Sequence, residues 1–348
     1  MDPSLARKRQ SSLDASRPKE TRRIFGIKTI FTSVAVCSAN RCLAFCDPFL
    51  SEQQPVDVVS GDGQIYGDIH GKKLTIATTS RVAGAVDSIL WNEMEFIDSH
   101  DHGRQMQSAA SFDCSRDDPF WPERFNPTEA GSRADGVGLQ SSSQLLSFVA
   151  KGNRLHTKTR MAFWLPPGEQ SFGRTGLNSV PISNHLLEKR VLIGCSASDN
   201  AIQVDTEFQM PSDEKHRLAQ FEVLTGYMPS SFQRFWKWDI AKRLFDSLDD
   251  GPGEQACPIA FSNIPETHAL GVWMSDLQSA RYSRTGYGRF RFVEENVVKW
   301  NCVVRIRDPN QIEMLRHAFR VYLAIGSLEE VTATFRQLAD SGAVGVSS

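Results

Sequence analysis

Between Glu95 and Ala110 the chain reads EFIDSHDHGRQMQSAA, which gathers carboxylates, two imidazoles, a guanidinium and two amides in one short stretch. Such a set can move protons, hold a polar ligand or bind a cation. Asp98, His100 and His102 invite a divalent-metal reading, since imidazole and carboxylate both ligate zinc. Neither an HxHxDH nor an HExxH spacing is present, however, so no metal or other cofactor is expected, and hydrogen bonding to a polar ligand is the expected work of His100 and His102. Arg104 offers a planar, permanently charged fork suited to a carboxylate or to vicinal hydroxyls. Its bland alternative is a salt bridge to Glu95 or Asp98.

A second polar stretch, FNPTEAGSRADG, brings Asn126, Glu129, Arg133 and Asp135 onto a backbone punctuated by glycine and proline. Glu129, between Pro127 and Gly131, is a candidate acid or base, with turn capping as the alternative. The two stretches are expected to form the walls of one site. A third, FEVLTGYMPSSFQRFWKWD, carries Glu222, Tyr227 and several more aromatic rings, while TGYGRFRF and VVKWN supply Tyr287, Arg289, Trp300 and Asn301. Rings and amides on a sheet suit a sugar, which offers apolar C–H faces and dense hydroxyl edges; burial in the core is the competing explanation.

The elements that must position these residues are strands. AIQVDTEFQM sends Ile202, Val204, Thr206, Phe208 and Met210 one way and Gln203, Asp205, Glu207 and Gln209 the other. RLHTKTRMAFWL alternates similarly and leaves His156 on the polar side, in a cleft or at the surface. Further strands are predicted over KLTIATT, RVLIGC, LAQFEVL, HALGVWM, GRFRFV and VVKWNCVVRIR, and the run AVDSILWNEMEF reads as strand, turn, strand. Many strands without intervening helices predict a mainly β chain folded as a large antiparallel β-sandwich, or supersandwich. Helix is expected only late: a short one over NQIEMLRHAF, before a last strand RVYLAIG, and a C-terminal one over SLEEVTATFRQLADSG. The latter opens with a capping box, Ser327 with Glu330, and stops at Gly342.

From about Pro55 to Ile325 this pattern, with the HG of DHGR at His102 and Gly103, resembles the galactose-mutarotase-like carbohydrate-active proteins, which include aldose 1-epimerases, polysaccharide lyases and hydrolase-related domains. The stretch SNHLLEKRVLIG is similar to the epimerase strand that carries a catalytic histidine, and His185 is the matching position. The resemblance implies a β-supersandwich acting on a carbohydrate. His102, His185, Glu129 and Glu222 are then the candidate proton-transfer groups, and His100, Arg104, Asn126, Arg133, His156, Tyr227, Tyr287, Arg289, Trp300 and Asn301 the candidate substrate contacts. Epimerase, hydrolase and lyase chemistry all need one acid and one base beside a sugar ring and are not separable here. A non-catalytic sugar-binding or structural module is the alternative.

Composition sets outer limits. With 348 residues and 40% hydrophobic content the chain can bury a full core. Residues 1–45 hold nine of the 39 basic and three of the 41 acidic residues, which leaves a body near −8 and argues against nucleic acid as the main partner. TRRIFGIK followed by TIFTSVAVCSA resembles a twin-arginine export signal, too short to span a bilayer, so residues 1–50 are expected to be a leader and residues 51–348 one domain, periplasmic or secreted. A basic tail on a cytoplasmic protein is the other possibility. Of the seven cysteines, Cys114, Cys195, Cys257 and Cys302 lie in the body and are expected to be mostly buried thiols, with one bridge open to them after export. No phosphate-binding glycine loop, GxSxG elbow or dinucleotide fingerprint is present.

Overall fold

Alternating side chains dictate the architecture. The computed structural model describes residues 59–277, 281–283 and 285–344; the leader reading falls on residues outside these. A four-stranded antiparallel sheet comes first, β1 (Gly63–Ile69), β2 (Lys72–Thr78), β3 (Val86–Trp91) and β4 (Met94–Glu95), the last two being the expected strand-turn-strand. There follow β5 (Gln107–Phe112), β6 (Pro127–Thr128), β7 (Gln144–Lys151), β8 (Arg154–Phe163), a small hairpin of β9 (Gln170–Ser171) and β10 (Arg174–Thr175), β11 (Ile182–Cys195), β12 (Ser198–Gln209) and β13 (Leu218–Pro229). The chain continues through β14 (Arg234–Asp239), β15 (Leu244–Leu248), β16 (Gly253–Gln255), β17 (Ile259–Ser262), β18 (Ala269–Met274), β19 (Gly286–Phe292), β20 (Val297–Arg307) and β21 (Arg316–Gly326) to α1 (Leu328–Asp340).

One fifteen-stranded sheet runs β15-β14-β17-β18-β21-β12-β11-β8-β6-β5-β13-β20-β19-β16, with β7 added beside β8. It folds back on itself at β6, where two residues pair with β8 and one with β5. The inner faces of the two halves then meet: Phe112 stacks on His185, and Phe221 packs against Phe208 and Phe319. The small sheet extends the second half through a bridge between Val86 and Met106, and it lies so close to β11 that a Cβ on Gly67 would fall 2.3 Å from Ile193. The expected antiparallel sandwich is therefore observed.

On β12, Ile202, Val204, Thr206 and Phe208 are buried while Gln203, Asp205, Glu207 and Gln209 are half-buried, as the alternation requires. The C-terminal helix also forms as expected, with Ser327 and Glu330 closing a reciprocal capping box. It covers the outer face of the first half, where Phe335 meets Trp238 and Trp273 and Gly271 gives it room: a Cβ there would lie 2.7 Å from both Phe335 and Val331. Among the described residues no helix is long and apolar enough to cross a membrane. No disulfide forms among the four body cysteines, and Cys195 and Cys302 are buried thiols.

The short helix expected over Asn310–Phe319 does not form. Residues 308–315 are irregular, Asn310 and Gln311 donate to the Asp308 carboxylate, and Ile312 sits in the core with its N–H on the His216 carbonyl. From Arg316 the strict alternation of Arg316, His317, Ala318, Phe319 and Arg320 pairs with β12, from Gln209↔Arg316 to Ala201↔Ala324. A long sheet partner decided what local propensity left open.

Candidate functional site

The first polar stretch was expected to face a ligand, and most of it instead ties loops together. His102 is fully buried, with Nδ1 2.8 Å from the Gly136 carbonyl and Nε2 2.7 Å from that of Arg81, so neither ring nitrogen is presented to a substrate. His100 is exposed and Asp98 pairs with Arg104, so Asp98, His100 and His102 do not assemble as metal ligands. Arg104 takes its bland alternative in part: it lies 3.5 Å from Asp98 and 3.4 Å from Asp101, and it also donates to the Glu295 carbonyl. Glu95 instead accepts from Ser88 and from the N–H groups of Ile89, Phe96 and Ile97.

Glu129 is also withdrawn from solvent. Its carboxylate is fully buried, paired with the ammonium of Lys189 and accepting the Ser108 N–H at 2.8 Å. His185, on β11, is 3% exposed and belongs to a different neighbourhood, against Phe112. The expected convergence of His102 and His185 fails for a simple reason. Gln107 at one end of β5 reaches the carbonyls of His102 and Gly103, Phe112 at the other end stacks on His185, and five strand steps separate them by roughly 17 Å.

The remaining predicted contacts divide in the same way. Arg133 is exposed and paired with Glu169, His156 pairs with Glu188 at 2.9 Å on the outer face of the first half, and Asn126 donates to the Ala110 carbonyl and to Ser111. Trp300 and Tyr287 are core residues, the Tyr287 hydroxyl accepting the Met274 N–H. Arg289 is buried against Asp249 and Gln255.

What does assemble is a polar cluster on the outer face of β13 and β20. Register places Tyr227 opposite Lys299 and Thr225 opposite Asn301, and the irregularity between Glu222 and Leu224 turns Glu222 onto the same face. The Glu222 carboxylate lies 3.4 Å from the Lys299 ammonium and accepts from the Thr225 hydroxyl at 3.0 Å. Lys299 sits 5.3 Å from the centre of the Tyr227 ring and 5.8 Å from that of Phe290. Asn301 is 6% exposed with its carbonyl oxygen unpartnered, and Gly288 leaves that oxygen its space, since a Cβ there would lie 2.2 Å from it.

Electrostatics separate the protonation states of this cluster. Burial pushes the Glu222 carboxyl up, but Lys299, Thr225 and Asn301 together outweigh it and hold the group below the usual range, as a carboxylate. Burial opposes the Lys299 ammonium, yet Glu222 and Tyr227 raise its pKa overall. The Tyr227 phenol is raised, chiefly by burial and further by Glu222 and Asp101, so it keeps its proton. The Tyr227 carbonyl accepts the Asp98 N–H at 2.8 Å, which brings the Asp98–Asp101–Arg104 group to the edge of this face.

Of the predicted site residues, the structure thus gathers Glu222, Tyr227, Asn301 and Arg104, and it scatters the others. Lys299 and Thr225 were missed. The signal for Lys299 was a lone lysine sharing parity with Asn301 in VVKWNCVV, whose other residues are apolar.

A chain of this architecture is an antiparallel β-sandwich protein with a half-buried polar face. No protein-family model and no curated protein matches the sequence. Among solved structures its strand layout is similar to that of an α-mannosidase from Enterococcus faecalis (TM-score 0.47, 10% identity, 83% of this chain and 32% of that one). It is also similar to a galactose mutarotase-like protein from Lactobacillus casei (0.36, 8%, 76% and 99%) and a heparan sulfate lyase from Pedobacter heparinus (0.37, 8%, 78% and 37%). The likeness is one of strand layout, and the chain spans about a third of the mannosidase and lyase chains.

Proposed function

We propose that the protein is a carbohydrate-active protein that processes a glycan or sugar derivative by acid/base chemistry on the outer face of β13 and β20. The observation that carries this reading is the pairing of an ionised carboxylate, Glu222, with a protonated phenol, Tyr227, across one ammonium, Lys299. Glu222 then serves as the base and Tyr227 as the proton donor, while Asn301 and Arg104 bind hydroxyls and the Tyr227 and Phe290 rings offer apolar surface to a pyranose. The comparison proteins are named for work on mannosides, on heparan sulfate and as mutarotase-like, which agrees with a saccharide ligand without adding to the argument.

A second reading, a non-catalytic sugar-binding module, is favoured by the same ion pair, because an ammonium 3.4 Å from the carboxylate makes it a weaker base. A glycan panel separates the two. With Glu222→Gln, turnover is expected to fall on the order of 100-fold while binding is retained. Binding by the native protein without turnover across the panel favours the module, and neither binding nor turnover overturns both readings.

We also propose that the chain works after export. Residues 1–50 fused to a reporter should direct translocation through the twin-arginine route, and changing both Arg22 and Arg23 to Lys should abolish it. A reporter that stays in the cytoplasm with the native pair refutes the leader.

A further inference from the structure

His185, Glu214 and His216 form a second cluster, on the inner side of the sheet against Phe112 rather than on the outer face proposed for a saccharide, and independent of that reading. His185 projects inward from β11, and Glu214 and His216 come from the segment between β12 and β13. Their nearest ligand atoms all lie within 4.8 Å of one another. Glu214 Oε2 is 3.4 Å from His185 Nε2 and 3.0 Å from His216 Nε2. A tetrahedral ion with bonds of 2.0–2.2 Å has edges of roughly 3.4 Å, so these two spacings already approximate those of bound ligands.

The imidazoles are costly as they stand. His185 is 3% and His216 2% exposed, yet both nitrogens of His185 and Nδ1 of His216 have no hydrogen-bond partner. Burying unpartnered polar atoms is unfavourable, and a hydrogen bond between Glu214 and His216 leaves the His185 ring unexplained. Both rings are held in place by aromatic contact: Phe112 lies 4.8 Å from His185 and 4.6 Å from His216, with Phe125 against both. The Glu214 side chain is 24% exposed and gives an ion its way in.

We infer that His185, Glu214 and His216 bind a divalent transition-metal ion, for which zinc best matches the donor set, in a site that pins residues 210–217 to β11. Two imidazoles and one carboxylate leave one position of a tetrahedron open at the Glu214 side.

The test is metal binding by the intact chain, which is independent of any saccharide activity. Native protein stripped with chelator should take up one equivalent of zinc, gain thermal stability with it, and show the visible absorption of low-coordinate cobalt(II) on cobalt titration. Glu214→Gln keeps the side chain's shape at a partly exposed position and should weaken zinc binding at least tenfold; His216→Ala should weaken it on the order of 100-fold. The exposed His100→Ala should leave the titration unchanged. Failure of the native chain to bind either metal at micromolar concentration overturns the inference, as does binding that Glu214→Gln and His216→Ala leave unaltered.

Discussion

Replacing Lys189 by methionine is expected to destabilise the protein by about 3–5 kcal/mol, the cost of leaving a buried charge without its partner. Lys189 is 1% and Glu129 0% exposed, and apart from the ammonium the carboxylate has only the Ser108 N–H, its Oε1 being unpartnered. The loss should appear as a lower denaturation midpoint at unchanged slope. The double variant Glu129→Leu with Lys189→Met should recover most of the stability, because replacing a whole buried pair with apolar groups is close to neutral. This cycle also decides what Glu129 is for. A catalytic carboxylate would lose turnover in Glu129→Leu/Lys189→Met despite restored stability, whereas the geometry predicts that activity survives with the fold.

A comparable effect should follow acidification through His317. The ring is fully buried on β21, packs against Phe221 at 4.6 Å and shares a 2.9 Å hydrogen bond with the Tyr282 hydroxyl. Burial pushes its pKa down to about 4, against a partial upward contribution from the Met314 main chain. The unfolded chain, with an ordinary histidine near 6.5, therefore binds the proton more readily than the folded one. Stability from this group is complete above pH 6.5 and is lost as pH falls from 6.5 towards 4, at about 1.4 kcal/mol per unit and on the order of 3 kcal/mol in all. Denaturant titrations at pH 7 and pH 4.5 should show that drop in the native protein and a smaller one in His317→Phe. An equal drop in both would refute the assignment.

Where pattern is local, the sequence spoke clearly. The face assignments along β12 and the capping box of α1 needed only period-two and helix-start rules, and they appear in the fold residue for residue. The site was less legible because its chemistry depends on pairing across long separations. Lys189 sits on the apolar parity of LEKRVLIG, between Leu187 and Val191, which marks a buried lysine, but nothing in the pattern names a carboxylate sixty positions earlier as its partner. The polar stretch and its HG make His102 a candidate ligand contact and proton-transfer group; two main-chain carbonyls, invisible in sequence, claim it. Glu214 and His216 went unremarked for the complementary reason. An ExH in a connecting segment acquires meaning only when β11 delivers a third ligand to the same place.

The turn-back at β6 has a mechanical consequence. Along the hydrogen-bonded path from β15 to β16, the two halves of the large sheet are joined through a strand of two residues, one of them Pro127, which has no N–H to give. Tension applied across the halves therefore concentrates on a few main-chain bonds at that seam. Glu129 follows the seam directly, receives the Ser108 N–H from β5 on one side and holds Lys189 of β11 on the other. The buried charge pair thus acts as a rivet at the weakest line of the ladder, and a pulling force would have to separate two desolvated charges before the sheet could unzip there.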